Sequence, residues 1–260
     1  MDLLQAVIIG VVEGVTEFLP ISSTFHVVWA SRFLGLSESD FVKLFQIVIQ
    51  SGAVLAVLVL YARTLLTDRE LVTRLVVSFI PTAVVGFLLY RVIKDVFLTD
   101  LWLQLVVFAL VGVLFIVVER RWVGRPLPRL ARDLSFRDAG LVGLAQALAV
   151  VPGVSRAGAV ILALIALGVR RDEAARYSFL LALPTIVAAG GYDLYQNRGI
   201  LSSSANAVPV LLAGAIAAFL VAIVVIRWFI SYLQSHSLAV FGGYRLVVAI
   251  VLAALLLSGR

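Results

Sequence analysis

Long apolar stretches dominate the chain, and the polar positions between them divide these stretches into two kinds. Six stretches are uninterrupted and long enough to cross a bilayer, which takes about 20 residues of α-helix. They cover 40–62, 72–90, 101–119, 172–195, 206–230 and 238–257. The pattern predicts an all-α integral membrane protein with six transmembrane helices.

Two further apolar stretches, 4–36 and 139–169, are broken near their middles. Pro20 interrupts the first stretch, and Pro152-Gly153 interrupts the second. Each half is too short to span a membrane alone. Both stretches are therefore predicted to be re-entrant helical hairpins, whose broken backbone must be covered by protein or face a water-filled cavity.

The two broken stretches also resemble each other. Pro20-Ile-Ser-Ser23 aligns with Pro152-Gly-Val-Ser155, and Glu13 falls close to Gln146. Downstream, one fixed offset pairs Phe45 with Phe179, Gln50 with Pro184 and Tyr61 with Tyr195. We predict a single membrane domain, 1–260, whose halves (about 1–120 and 137–260) form an inverted repeat. Each half has one hairpin and an odd number of spans, so the second copy is turned over in the bilayer and the hairpins meet near its midplane.

Composition agrees with this class, since 62% of the 260 residues are hydrophobic and none is cysteine. A chain without cysteine has no disulfide and no thiolate metal site. Much of the net charge of +6 lies in one connection, which carries Arg120, Arg121, Arg125, Arg129, Arg132 and Arg137. The positive-inside rule makes this connection cytoplasmic and argues against nucleic-acid binding. Counting spans from it makes the first hairpin face the extracytoplasmic side.

Glu13 and Glu17 stand one helical turn apart in an otherwise apolar segment. Residues four apart share a helix face, and two adjacent carboxylates repel each other unless a cation or a proton lies between them. An oxygen-only pair suits a divalent cation such as Mg²⁺ or Ca²⁺, with water and phosphate completing its shell. The alternative is an amphipathic helix at the membrane surface with two solvated glutamates.

The segment from Pro20 to His26 predicts the start of a helix, because proline and hydroxyl residues favour that position. A helix N-terminus binds phosphate, so Ser22, Ser23 and Thr24 are candidate phosphate ligands. His26 follows Ser23 by three residues, and it is either the base for a serine nucleophile or the nucleophile itself. The alternative is ordinary helix capping.

The second break, Pro152 to Arg156, predicts another helix start and adds a guanidinium. Gly153, Ser155 and Arg156 are therefore candidate phosphate ligands, although Arg156 could instead snorkel to the membrane surface. Arg245 either lines the cavity or snorkels. Weaker candidates are Gln50 and Asp193 as supporting residues, with Glu119 and His236 interpreted as surface residues.

The stretches EGVTEFLPISSTFH and PGVSRAGAV resemble the two signature motifs of the undecaprenyl pyrophosphate phosphatases of the BacA/UppP type. The similarity extends to FQIVIQSGAVLAV, YSFLLALPTIVAAGGYDLYQ and FGGYRLVVA. The resemblance implies a membrane phosphatase that uses a divalent metal to convert undecaprenyl pyrophosphate to the monophosphate carrier of cell-wall synthesis. Loss of such an enzyme sensitises cells to bacitracin. It also implies six spans and two re-entrant hairpins.

Position by position, the resemblance makes Glu13 and Glu17 the acidic pair, Ser23 and His26 the catalytic serine and histidine, and Arg156 the phosphate-binding arginine beside Ser155. Three positions depart from the family pattern. Phe25 replaces a small residue, Ala157 a serine and Val160 a threonine. The missing hydroxyls remove potential contacts to a bound phosphate.

These observations predict a plasma-membrane phosphatase for a polyprenyl diphosphate, with its site open to the extracytoplasmic side. Its predicted catalytic residues are Glu17, Ser23, His26 and Arg156; its substrate ligands are Ser22, Thr24, Gly153, Ser155 and Arg245; its metal ligands are Glu13 and Glu17. The main alternative is a transporter or flippase for a phosphorylated polyprenyl lipid, which needs no nucleophile. A purely structural protein fits poorly with Glu17 and Arg156, and the sequence leaves open whether the chain forms a homodimer.

Overall fold

The computed structural model describes residues 1–37, 39–89, 100–122, 127–202 and 206–258. Its α-helices are α1 Leu3–Thr16, α2 Ser23–Phe33, α3 Asp40–Thr67, α4 Arg69–Leu88, α5 Leu101–Trp122, α6 Phe136–Ala147, α7 Arg156–Ala166, α8 Arg171–Gln196, α9 Arg198–Ser202, α10 Ala207–Leu233 and α11 Ala239–Leu257. Within the described ranges, six helices are long and apolar enough to cross a membrane, namely α3, α4, α5, α8, α10 and α11. They confirm the predicted multi-pass membrane protein.

The two interrupted stretches form pairs of short helices, α1–α2 and α6–α7, which fits the predicted re-entrant hairpins. Local sequence fixes where each pair begins. Asp2 and Gln5 form a capping box at the start of α1, and Ser135 and Asp138 form one at the start of α6. A hydrogen bond from Arg129 also holds the pKa of Asp138 below its usual range. Arg129 thus ties the basic connection to α6, although residues 123–126 of that connection, including Arg125, lie outside the described ranges.

The hairpin helix of each half of the chain packs on a spanning helix of the other half. The hairpin helix α1 packs on α10, and its counterpart α6 packs on α4. Likewise α3 packs on α10 while α8 packs on α4, and the pairs α3–α8 and α5–α11 lie between the halves. A two-fold relation between the halves generates this exchange, so the contacts support the inverted repeat that we propose.

Two glycines allow the hairpin helices to approach their neighbours closely. A Cβ at Gly10 would lie 2.3 Å from the carbonyl oxygen of Gly214, and a Cβ at Gly143 would lie 2.3 Å from that of Ser78. Such distances exclude any side chain unless the helices separate. The small residues therefore set the depth at which α1 and α6 are buried, as is common between membrane helices.

Glu119 is not the surface residue that we expected from the sequence. Its side chain is buried, and it accepts two hydrogen bonds from Arg171, at 2.7 and 3.1 Å. It also accepts a hydrogen bond from the backbone N–H of Leu238 at the start of α11, at 3.0 Å. The carboxylate is buried because it bonds to α8 and to the start of α11 from its own position on α5. His236 is exposed, as expected.

Candidate active site

The tips of the two hairpins share an unusual backbone conformation. Ser22 and Ser155 have φ of 68° and 72°, and they are the only non-glycine residues with positive φ in the described ranges. Each immediately precedes a helix, α2 or α7. Because this conformation costs a non-glycine residue of order 1–3 kcal/mol, it marks the tips as candidate functional positions.

The backbone corrects the sequence alignment of the tips by one residue. That alignment paired Ser23 with Ser155, whereas the shared conformation pairs Ser22 with Ser155. The first helical residues, Ser23 and Arg156, are then equivalent. Proline at different distances from the turn misled the alignment, since Pro20 lies two residues before Ser22 but Pro152 lies three before Ser155.

The two helix starts differ in how their N–H groups are used. The Ser155 hydroxyl accepts a hydrogen bond from the backbone N–H of Gly158, at 3.1 Å, and so caps α7. Ser22 makes no such side-chain cap for α2 within the described structure. The Ser22 side chain thus leaves the capping position of α2 to a possible anion, which a helix N-terminus favours.

Most of the predicted site residues line one cavity of about 510 Å³. Glu17, Ser22, Ser23, Thr24, Gly153, Ser155 and Arg156 form its polar end, and Gln50 and Asp193 also line it. Apolar residues of α4 and α8, such as Phe79, Phe87 and Ile186, form much of the remainder. A cavity with a polar end and a largely apolar lining fits a phosphorylated head group joined to a hydrocarbon chain.

At the polar end, Glu17 joins the two hairpins. Its Oε2 accepts a hydrogen bond from the Ser23 hydroxyl, and its Oε1 pairs with Nη2 of Arg156 at 2.9 Å. Nη1 of Arg156 donates to the backbone oxygen of Ser178 at 3.0 Å, which fixes the plane of the guanidinium. Both charged side chains are nearly buried, and a buried pair of this kind contributes little net stability. A role in catalysis or in binding an anion therefore explains the Glu17–Arg156 pair better than a role in stability.

Glu13 lies four residues before Glu17 and does not line the cavity. Its side chain is fully buried, and neither carboxylate oxygen has a hydrogen-bond partner in the described structure. A buried carboxylate left without a partner is costly, so a bound cation or a proton is expected there. Glu13 and Glu17 fit Mg²⁺, which one or two carboxylates hold while phosphate and water supply the other ligands. Within the described ranges, no cluster of three or more acidic, histidine or cysteine side chains offers a complete protein cage.

Within the described structure, His26 forms no hydrogen bond with Ser23, the serine for which it was a candidate base. Its Nδ1 lies 2.8 Å from the backbone oxygen of Ser22, and its Nε2 lies 2.8 Å from the Tyr244 hydroxyl. A carbonyl only accepts, so Nδ1 carries the hydrogen and Nε2 of the neutral ring accepts from Tyr244. Glu17 instead occupies the position of a base toward Ser23. Tyr244 gave no signal in the sequence beyond its place in FGGYR.

Arg245 neither lines the cavity nor snorkels, so the expected contact with substrate is not supported. Its side chain is fully buried. It donates to the backbone oxygens of Phe108 and Pro20, both at 3.0 Å, and to that of Gly153. Pro20 and Gly153 each lie two residues before the serine with positive φ. Arg245 therefore binds the equivalent carbonyl in each hairpin and holds the two tips together.

The three departures from the family pattern are packing positions. Phe25 is buried and stacks on Phe108 with ring centroids 4.0 Å apart. Ala157 and Val160 are buried in the main apolar core, and neither lines the cavity. A hydroxyl at position 160 would face apolar side chains, so the expectation that Val160 approaches a bound phosphate is wrong.

A second polar group in the cavity wall, which the sequence did not predict, is formed by Gln146, Thr82 and Thr185. The alignment of Gln146 with Glu13 was its only signal.

A separate cavity of about 520 Å³ is lined by Arg170, Arg171 and Asp172, among others, but none of the predicted site residues. Its two arginines are already paired with Asp172 and Glu119. The first cavity is thus the better candidate site.

The fold is that of a multi-pass membrane protein, and the cavity between its two broken helices is a candidate anion site. The model of the family "Bacitracin resistance protein BacA" matches residues 6–251, and the chain belongs to this family. It is similar to an Undecaprenyl-diphosphatase of Aquifex aeolicus, 42% identical over 97% of this chain and 98% of the relative. A protein of the same name from Campylobacter hominis is 41% identical, covering 96% and 97%. Another from Bdellovibrio bacteriovorus is 38% identical, covering 100% and 98%.

Proposed function

We propose that this chain is an undecaprenyl-diphosphate phosphatase, which hydrolyses the lipid diphosphate to the monophosphate and inorganic phosphate. The observation that carries the proposal is the contact of Ser23, Glu17 and Arg156 at the polar end of a largely apolar cavity. Relatives that match the chain end to end are named Undecaprenyl-diphosphatase. The product would return to cell-wall synthesis as the lipid carrier.

In the proposed first step, the Ser23 oxygen attacks the terminal phosphorus of the diphosphate. Glu17 takes the hydroxyl proton, for which its hydrogen bond with Ser23 already provides the path. The anhydride P–O bond breaks, and the lipid monophosphate leaves with the proton from Glu17. Phosphate is then joined to Ser23.

In the second step, water attacks the same phosphorus and gives its proton to Glu17. The Ser23 oxygen leaves and takes this proton back, which regenerates the starting state. Both steps place negative charge on the phosphoryl oxygens. Arg156 and the uncapped N-terminus of α2 line the same end of the cavity and would stabilise that charge, which is the main source of catalysis in phosphoryl transfer.

Two ligands extend this proposal. Glu13 and Glu17 would hold a divalent cation, Mg²⁺ or Ca²⁺, which neutralises phosphate charge when bound. The apolar side of the cavity would receive the first part of the prenyl chain while the rest stays in the bilayer. Residue composition supports a site open to the extracytoplasmic face of the plasma membrane, because the basic connection 120–137 favours the cytoplasm.

A transporter of phosphorylated lipids is the less favoured alternative. The family match and the names of the relatives favour the phosphatase. A carrier also has no need for a serine hydroxyl bonded to a buried carboxylate.

The proposal is tested with purified protein in detergent, a polyprenyl diphosphate and Mg²⁺ or Ca²⁺. We expect release of one inorganic phosphate for each lipid monophosphate formed. Binding of the lipid without phosphate release, under both metals, would contradict the proposal and favour a carrier.

A further inference from the structure

The Gln146 side chain has a fixed orientation in the cavity wall. Its Nε2 donates to the hydroxyl oxygens of Thr82, at 2.8 Å, and Thr185, at 3.2 Å. Those two hydroxyls donate their own hydrogens to the backbone oxygens of Gly143 and Leu181. Both threonines can therefore only accept from the amide, so its nitrogen rather than its oxygen must face them.

This arrangement leaves the amide oxygen of Gln146 without a partner. The side chain is fully buried, and its Oε1 makes no hydrogen bond within the described structure. An unsatisfied buried acceptor costs about 1–3 kcal/mol. Because Gln146 lines the same cavity as Ser23 and Arg156, a ligand in that cavity can supply the missing donor.

Position 146 is also the counterpart of position 13. Gln146 lies nine residues before Ser155, and Glu13 lies nine residues before Ser22. Both are fully buried, and both have acceptor oxygens without partners in the described structure. Each hairpin thus places a fully buried side chain with an unpartnered acceptor at the equivalent position, but only the second is a neutral amide.

We propose that Gln146 is a further substrate-binding residue, whose Oε1 accepts a hydrogen bond from a protonated oxygen of the phosphate bound in the cavity. This inference rests on the proposed function, since it identifies the bound group as a phosphate. An ionised phosphate oxygen repels a carbonyl oxygen, whereas a P–OH group donates to it. Arg156, the Ser23 hydroxyl and the α2 N-terminus are donors for the remaining oxygens. The acceptor therefore selects phosphate over anions that carry no proton.

Inorganic phosphate and sulfate provide the test, because both are tetrahedral and doubly charged at about pH 8, above the second ionisation of phosphate. Only phosphate then carries an O–H group. Apparent Kd values come from the rise in Tm of the purified wild-type protein with anion concentration. We expect phosphate to bind about threefold to tenfold more tightly than sulfate, as one hydrogen bond allows.

Gln146→Met keeps the length of the side chain and removes the acceptor, so its two Kd values should agree within about twofold. Ser78→Ala is the matched control. Ser78 is buried in the same α4–α6 interface, bonds to the backbone oxygen of Ala139 at 2.7 Å and does not line the cavity. This variant should lose stability but keep the preference for phosphate.

Gln146→Glu covers the case in which Gln146→Met does not fold. A carboxylate should weaken binding of both anions but keep the preference for phosphate, because it also accepts from P–OH. Equal binding of the two anions by the wild type, or an unchanged preference in Gln146→Met, would overturn the inference. Hydrolysis of the lipid diphosphate, measured on the same samples, reports separately on the proposed function.

Discussion

Replacing Arg156 with lysine separates the charge of this residue from its shape. The guanidinium makes two hydrogen bonds from two different nitrogens, to Glu17 Oε1 at 2.9 Å and to the Ser178 backbone oxygen at 3.0 Å. A lysine ammonium is a single point of charge without the planar fork. Arg156→Lys can therefore keep the pair with Glu17 or the bond to Ser178, but not both in the same geometry.

The size of the effect follows from the lost contact. One hydrogen bond involving a charged group is worth about 1.5–3 kcal/mol. If the fork is needed to place the charge on the transferring phosphoryl group, kcat/KM should fall by about 10-fold to 150-fold. Initial rates of phosphate release from a polyprenyl diphosphate measure this loss.

Arg171→Lys is a matched control. Arg171 also forms a two-point pair with a buried glutamate, Glu119, but it lies outside the cavity that holds Ser23. Its replacement should lower Tm while leaving kcat/KM within about twofold of the wild type. A near-wild-type rate for folded Arg156→Lys would show that the guanidinium fork is not needed for turnover, as would equal losses of activity in the two variants.

Three further predictions concern the metal, the core and the topology. Glu13→Ala should lower turnover and raise the Mg²⁺ concentration needed for half-maximal activity, and full wild-type activity in chelator would exclude the metal site. Val160→Thr should lower Tm without raising turnover, because position 160 lies in the apolar core. A clear gain in turnover would instead indicate that this position contacts the bound phosphate. Arg137 and Arg198 are exposed positions for single cysteines. In intact cells, an impermeant reagent should label Arg198→Cys but not Arg137→Cys. The opposite labelling pattern would reverse the proposed orientation.

The sequence was sufficient for the parts of the fold that depend on the bilayer. An apolar stretch of sufficient length forms a helix because lipid offers the backbone no other partner, so the six spans could be read directly. The breaks at Pro20 and Pro152 were visible for the same reason. The structure brings Glu17, Ser23 and Arg156 together at one end of a cavity, as the two breaks suggested.

The contacts that individual side chains make could not be predicted from the sequence. Whether Ser23 bonds to Glu17 or His26 depends on the turn at Ser22, whose positive φ has no signal in a run of serines. Arg245 resembled a cavity residue because a buried arginine without an acidic partner is unexpected, yet it has three backbone carbonyls to satisfy it. Glu119 resembled a surface residue because Arg171, its partner, is far away in sequence.

The turnover of Ser23→Ala, compared with that of His26→Ala under the same conditions, distinguishes a serine nucleophile with a glutamate base from a mechanism that depends on His26. If Ser23 attacks the phosphorus with Glu17 as its base, Ser23→Ala should lose at least about a thousandfold in kcat, because no other group replaces the nucleophile. His26→Ala should retain measurable turnover, since His26 contacts Ser22 and Tyr244 instead. A Ser23→Ala protein that keeps more than about a tenth of wild-type turnover, beside an inactive but folded His26→Ala, would contradict the account.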